Sequence, residues 1–461
     1  MQTGIIYDWD APLIWEQRLA KAMDERYMRR RFEQTLQHGP VRECRIARVR
    51  RRGDQRAVIQ YSLQWEATVG QAAVITANLY RGDRARHLVR KLSKQIPAEM
   101  LDQCPVFPVF GIPELRMLCQ VFPMDRRLPG LAHLAAGPPR ELLADIRAEA
   151  GVGDAVAVRR RGMIDGLEVR RTSVVRYRSG LSAVMRYDLD FTTADGGCET
   201  RSFFAKTQQE ILDAEKLATK LRALRQLPTP LIGEQLFGLY PQWHAVVLRG
   251  VEGETLEALL QRGDASSCAE RLARGLASLH NATPPAALPE YDSARQDAQR
   301  DRIAAKLAWA CPDLAERIHH IAERVRGITS QQFAPSHLDL KLEHVFLEGD
   351  RLTLIDWDSC ATADPMIDVA MLLARLAAAP VQANLAAGNY EAAARRFLNT
   401  YCELTPATWR TSLGQRYAAA VLDVAVGYFG RQEPRWKETV THLIREAETA
   451  LGGERCLASG R

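Results

Sequence analysis

The strongest constraint in this sequence is a repetition. VIQYSL at 58–63 matches VMRYDL at 184–189, which sets Tyr61 and Tyr187 126 residues apart. The flanking residues keep step. RAVIQYSL (56–63) mixes β-branched and aromatic residues with polar ones, and AAVITANLY (72–80) follows it. In the later stretch, RTSVVRYRSGLSAVMRYDLDF (171–191) reads as two strands joined at Ser179-Gly180, and RSFFAKT (201–207) reads as a third. A helix-like stretch, a proline-containing segment and an apolar strand come next in both copies: CQVFPM (119–124) and HAVVLRG (244–250). Arg81 and Lys206, 125 residues apart, occupy corresponding places. The order of elements implies a duplicated β-rich unit, roughly 41–140 and 155–253. The plainer alternative is two unrelated meanders of similar composition. Ahead of the first copy, Leu13, Trp15, Leu19, Ala22, Met23 and Met28 recur at helical spacing, so 11–37 reads as one helix. Gly53-Asp54 marks a turn after the first strand, CRIARVR.

From residue 255 the texture changes. TLEALLQRG, SCAERLARGLASLHNA, CPDLAERIHHIAERVRG and the stretch beyond Pro365 all carry helical periodicity. One β-like island interrupts them, HVFLEGDRLTLIDWD (344–358), with EGDR as its hairpin turn. Strands first and helices after give an α+β class. The expected organisation is an N-terminal helix (1–40), a β-rich repeat (41–150), a second β-rich unit (151–253) and a helical region (254–461).

Composition removes several alternatives. The net charge of +6 comes from 62 basic and 56 acidic residues, too mild an excess to argue for a polyanion partner. The basic runs VRECRIARVRRRGDQR (41–56) and Arg159-Arg160-Arg161 have few aromatic residues beside them for base stacking, so a nucleic-acid partner is disfavoured. Nine cysteines, an odd number with no CxxC, fit neither a disulfide framework nor a structural zinc site. No HExxH is present. The N-terminus lacks the pattern of a signal peptide, and no uninterrupted apolar run reaches the roughly 18 residues of a membrane helix. A cytoplasmic chain with no membrane partner is expected.

Chemistry concentrates in SHLDLKLEHVFLEGDRLTLIDWDSCATADPMIDVA (336–370). The pieces are His337-Leu338-Asp339, Lys341, His344, then a hairpin, Asp356, Asp364-Pro365 and Asp368. In this order they resemble the active-site region of the aminoglycoside phosphotransferase and choline kinase group, relatives of the protein kinases. LASLHNATP (277–285) resembles the family helix that ends in Leu-His. The resemblance covers about 155–400. It implies a protein-kinase-like two-lobe fold, with a β-rich N-lobe and a mainly helical C-lobe, here preceded by a second N-lobe-like β unit. It also implies a small-molecule kinase that moves the γ-phosphate of ATP or GTP to a hydroxyl of a small-molecule acceptor.

Phosphoryl transfer needs little covalent chemistry from a protein. It needs positioning and neutralisation of charge on the equatorial oxygens. By resemblance, Asp339 is the base that takes the acceptor proton and Lys341 reaches the transferring phosphate, while His337 organises the loop. Asp356, after the apolar LTLI, is the carboxylate ligand for Mg2+, with Mn2+ as the alternative. Asp358 falls on the same side if the strand persists, and Asp368 supports the catalytic loop. His344 stands where the family carries asparagine, and imidazole suits manganese better than magnesium. This substitution keeps open a second reading, a nucleotide-binding pseudokinase or scaffold.

On the nucleotide side, Lys206 fits the strand lysine that meets the α- and β-phosphates. Glu215 fits the helix carboxylate that holds that lysine, with Glu210 as the alternative. RYRSG (176–180) takes the place of a phosphate loop, and the base is expected to bond backbone near Leu248 to Val251. The acceptor site is expected from helices within 375–440, where Glu391, Glu403 and Asp423 lie.

Overall fold

The computed structural model describes residues 14–52, 55–66, 72–96, 98–150, 164–193, 197–330 and 332–453. The Gly53-Asp54 turn and the run Arg159–Arg161 fall outside them. The chain divides into two compact units. The first is Met1–Ala214 with Tyr240–Val247 and Gly430–Gln432. The second is Glu215–Leu239, Leu248–Phe429 and Glu433–Arg461.

The single helix expected over 11–37 is two helices, Trp15–Ala22 and Glu25–Leu36. Asp24 makes the break. Its backbone is extended, and its carboxylate accepts the amides of Arg26 at 2.9 Å and Tyr27 at 3.1 Å. A side chain that satisfies the first free N–H groups starts a new helix where periodicity alone would continue the old one. Met28 and Phe32 then bury against the first sheet, where Phe32 meets Tyr61 edge-on at 5.2 Å.

That sheet comprises β1 (Val41–Arg52), β2 (Arg56–Trp65), β3 (Ala73–Tyr80), β4 (Val109–Ile112) and β5 (Met117–Val121), in the order β1-β2-β3-β5-β4. The second sheet begins with β6 (Ile164–Arg178), β7 (Ser182–Thr193) and β8 (Cys198–Gln208). Strand Ala245–Arg249 follows β8 across the sheet, and Leu236–Tyr240 lies at the edge. The order is therefore the same in both sheets. A 3-10 turn opening on proline links the last two strands in each, Pro113–Leu115 and Pro241–Trp243, and each ends in a residue at φ 48°, Arg116 and His244. The repeated tyrosines play one role twice. Tyr61 donates its hydroxyl to the Ala22 carbonyl at 2.6 Å, and Tyr187 donates to the Leu134 carbonyl at 2.7 Å. Both are fully buried, so each O–H needs that acceptor.

The register corrects one equivalence. Tyr61 pairs with Ile75 and Val58 with Asn78, while Tyr187 pairs with Phe203 and Val184 with Lys206. Three residues along from each tyrosine's partner, the counterpart of Lys206 is Asn78, not Arg81. Arg81 is exposed just beyond β3. Asn78 is buried and accepts a hydrogen bond from Arg56. The first sheet thus carries a neutral amide where the second carries a cation.

The second unit is mainly helical. Its central helix, Met366–Ala383, is buried along one whole side and beyond. Among the described residues it alone has the length and apolarity to cross a membrane, but 72% of it is buried inside the protein, as in a core helix. The strands Val345–Glu348 and Arg351–Leu354 form the expected hairpin, with Glu348 opposite Arg351. Short strands at Ala334–Ser336 and Ala361–Ala363 pair with each other and bracket the loops that carry the polar residues. The eight described cysteines are all free thiols.

Candidate active site

Strand Ala334–Ser336 delivers the chain into a loop that begins at His337. Asp368, in the first turn of Met366–Ala383, holds that loop. One carboxylate oxygen accepts the His337 amide and the other accepts the Leu338 amide, both at 2.6 Å. The first oxygen also meets His280 Nε2 at 3.2 Å, and His280 Nδ1 meets the Tyr401 hydroxyl at 2.7 Å. Asp368 and His280 are fully buried. Burial alone would push the Asp368 carboxyl up, but the hydrogen bond with His280, the electrostatic pull of His280 and His337 and the His337 amide outweigh it and hold it below the usual carboxylate range. This places Asp368 where loop support was expected. His280 ends helix Ser266–Asn281, as LASLHNATP suggested, whereas nothing local in the sequence signals Tyr401.

His337 is fixed at both ring nitrogens. Nε2 lies 2.9 Å from the Ile355 carbonyl, so it must carry the proton, and Nδ1 accepts the Asp339 amide at 3.3 Å. Trp357 packs edge-on against the ring at 4.8 Å. Leu338, between His337 and Asp339, is left-handed at φ 65°. A leucine adopts that conformation only when its surroundings impose it, and the paired amide bonds to Asp368 do so here. The loop then presents Asp339 to a cavity, with the Lys341 ammonium 2.7 Å from its carboxylate. Lys341 is thus committed to Asp339 itself.

Asp356 follows the hairpin and is also left-handed, at φ 65°. His344 Nε2 approaches its carboxylate to 3.6 Å. The strand does not persist beyond Leu354: Trp357–Ser359 is a 3-10 turn. The condition for Asp358 to share a side with Asp356 therefore fails, and Asp358 is exposed and lines the cavity with Asp339. Glu234, which the sequence did not suggest, accepts the Trp357 amide at 3.2 Å beside Asp356. Among the described residues no group of three or more His, Cys, Asp or Glu side chains is arranged to hold a metal by itself. A donor set of one carboxylate with one imidazole nearby fits an ion that takes most of its ligands from phosphate and water, as magnesium does.

The nucleotide candidates are distributed over both units. Lys206, in β8 of the first unit, is buried. The turn between β6 and β7 is tight, with the Leu181 amide bonded to the Arg178 carbonyl at 2.9 Å. Asp125 anchors it: one carboxylate oxygen accepts the Gly180 amide at 2.6 Å and the Tyr177 hydroxyl at 2.9 Å. Arg50 of β1 donates to the Ser179 carbonyl at 2.9 Å. The first sheet's side of the unit thus restrains RYRSG. In the second unit, Leu248 is buried, Val251 is partly buried, and the Arg249 amide is bonded to the Gln235 carbonyl at 2.8 Å. The expectation for Glu215 is not met. It is exposed on helix Ile211–Leu224 and makes no ion pair with any described residue. Ala214, Leu217, Ala218 and Leu221 form that helix's buried stripe, and Glu215 falls off it.

The cavity at Asp339 has a volume of about 590 Å3 and lies wholly in the second unit. Of the three acids expected near an acceptor, only Asp423 lines it. Glu391 lines a separate cavity and Glu403 is exposed. Desolvation pushes the Asp423 carboxyl up to about 6; Arg300 and Arg375 pull it down, and the like charge of Asp339 adds to the push. Arg416 is held by Asp364, whose carboxylate it meets at 2.9 Å.

Comparison with known proteins accords with this geometry. The model of the phosphotransferase enzyme family, APH, matches residues 191–411. Those residues belong to that family. The phosphotransferase match takes in the loop at 337–344, the hairpin, Asp356 and Asp368. No curated protein matches the chain. Among solved structures, a macrolide 2'-phosphotransferase of Brachybacterium faecium is 17% identical, over 68% of this chain and 98% of that one, with a TM-score of 0.39. Plasmodium vivax ethanolamine kinase is 10% identical, over 70% and 94%, with a TM-score of 0.43. The GDP complex of aminoglycoside 2'-phosphotransferase-IIIa is 13% identical, over 67% and 98%, with a TM-score of 0.41. The family match supports a phosphotransferase role for the chain.

Proposed function

We propose that the protein transfers the γ-phosphoryl group of ATP or GTP to a hydroxyl of a small molecule that enters the cavity at Asp339. The carrying observation is the loop pinned by Asp368, which leaves Asp339 facing the cavity. Asp339 orients the acceptor hydroxyl and takes its proton as the oxygen bonds to the γ-phosphorus. The bond from that phosphorus to the β-phosphate bridging oxygen breaks, and the nucleoside diphosphate leaves. Lys341 keeps Asp339 oriented, with its ammonium 2.7 Å from the carboxylate. His337 and Asp368 position the loop and do not react. Lys206 meets the α- and β-phosphates, and backbone between Leu248 and Val251 bonds the base.

Asp356, with His344 as neighbour, would hold the divalent ion, magnesium or manganese. When bound, the ion neutralises charge on the β- and γ-phosphates. His344 also favours a second reading, a protein that binds nucleotide without transferring phosphate.

Thermal shift with ATP and GTP, each with magnesium or manganese, tests the reading on wild type and Asp356→Ala. A metal-dependent stabilisation lost in Asp356→Ala, together with acceptor-dependent release of nucleoside diphosphate, is expected. Stabilisation without release on any acceptor would leave the second reading standing. No stabilisation by either nucleotide would sink both.

A further inference from the structure

The cations of the catalytic cavity are not all used by the protein. Four arginines line it: Arg295, Arg300, Arg375 and Arg416. Arg416 is consumed within the structure, bonded to Asp364, Ser330 and the Ile328 carbonyl. Arg300 is partly used. One terminal nitrogen meets Asp297 at 2.6 Å and the other the Tyr291 hydroxyl at 3.4 Å, yet its Nε is buried without a hydrogen-bond partner. Arg375 makes no hydrogen bond or ion pair with any described residue, and its Nε too is buried without a partner. The side chain of Arg295, at the start of helix Ser293–Ala310, makes none either.

Three aspartates share the same wall, Asp339, Asp358 and Asp423. Asp339 is paired with Lys341. Asp423 faces Arg300 and Arg375, with its carboxyl pushed up to about 6 by desolvation, and Asp358 is exposed on the same wall. A buried guanidinium Nε without an acceptor is costly, and the planar fork of arginine matches a carboxylate or phosphate. An ammonium-bearing acceptor would enter against the guanidinium of Arg375, with Asp358 and Asp423 as the acids left to meet it.

We infer that the acceptor carries, besides the hydroxyl that is phosphorylated, an anionic group, a carboxylate or a phosphate ester, seated on Arg375 and Arg300 with Arg295 at the mouth. This rests on the phosphotransferase reading above and specifies its acceptor. The transfer itself is unchanged: the hydroxyl oxygen gains the γ-phosphoryl group, its proton passes to Asp339, and the anionic group takes no part in the bond changes. A volume of about 590 Å3 is within the range of small-molecule sites and admits a molecule of sugar-acid or sugar-phosphate size.

The test uses the full chain and four acceptor probes of one skeleton: glucose, glucosamine, glucuronate and glucose 6-phosphate. Binding of each is measured by titration calorimetry without nucleotide, and magnesium–ATP stabilisation is measured separately by thermal shift. Glucuronate, glucose 6-phosphate or both are expected to bind roughly tenfold or more tightly than glucose and glucosamine. Whichever binds names the source of the charge. Arg375→Gln should weaken that binding roughly tenfold or more, Arg375→Lys should restore part of it, and the nucleotide shift should be unchanged in both. Tighter binding of glucosamine or glucose, no binding by either anionic probe, or an Arg375→Gln variant that binds the anion as wild type does would overturn the inference. Loss of the nucleotide shift with anion binding intact would overturn the phosphotransferase reading and leave the anion site in place.

Discussion

Replacing Asp423 by asparagine should stabilise the protein at neutral pH. The carboxyl lies on the wall of the catalytic cavity, and desolvation there carries it from 3.8 to about 6. A raised acid pKa means that the folded state holds its proton more tightly than the unfolded chain does. The favourable contribution is complete below pH 3.8 and is lost as pH rises through about 6. At pH 7.5 the displacement of roughly two units, at 1.36 kcal/mol each, costs about 3 kcal/mol. The residue keeps an edge toward the solvent in the cavity, so ~1–3 kcal/mol is the working range. Asparagine carries no such cost and nearly the same shape. For a unit of this size each kcal/mol moves the melting temperature by about 2–4 °C, so Asp423→Asn should melt about 3–10 °C higher at pH 7.5. At pH 5 the native carboxyl is already mostly protonated, and the gain should fall to about half. Calorimetric melting of both proteins at the two pH values measures this. A gain equal at pH 5 and pH 7.5, or no gain at all, would refute the account.

Four further outcomes are expected. Asp339→Asn should lower kcat by roughly 10²–10⁴-fold while nucleotide stabilisation persists, measured by coupled assay and thermal shift. Asp368→Ala strips two loop amides and His280 of their shared acceptor and should cost about 3–5 kcal/mol in urea unfolding. Because the wild-type carboxyl is held below its usual range, its contribution is present above pH 3.8 and is lost only as acid takes the pH through the lower folded value. His344→Asn puts an amide oxygen beside Asp356 and should shift the ratio of activities with magnesium and manganese toward magnesium; an unchanged ratio would remove His344 from the metal's surroundings. Gly130→Ala places a methyl 2.2 Å from the Trp243 carbonyl oxygen, a backbone atom that cannot step aside, and should cost more than about 3 kcal/mol of stability in the first unit.

What was legible in the sequence was local. The hairpin at 344–358, the Ser179-Gly180 turn and the succession of elements in each repeat are written in short runs of residues whose partners are near in the chain. The loop residues could be grouped because His337, Asp356 and Asp368 are close in sequence. Convergence over long separations was not legible. Arg300, Arg375 and Arg416 sit on three helices far apart in the chain, and only the fold brings them to one wall. Tyr401 reaches His280 across 121 residues. Glu215 looked right by spacing from Lys206, but a helix shows spacing and not rotation, and its apolar stripe turned Glu215 outward. Arg81 was matched to Lys206 by count, whereas strand pairing selects Asn78.

The Asp125 anchor bears on where this protein can be divided. The family match begins at 191, inside β7, yet the turn before β7 takes its acceptors from Asp125, and Tyr187 takes its acceptor from Leu134. A chain cut at the edge of the recognisable segment would split β7 and discard the hairpin at 178–181 with Tyr187, leaving β8 without most of the strand it pairs with. The segment identified by ancestry is therefore not a separable piece. The upstream copy carries Asn78 where the later copy carries Lys206, and through Asp125 and Leu134 it braces the later sheet.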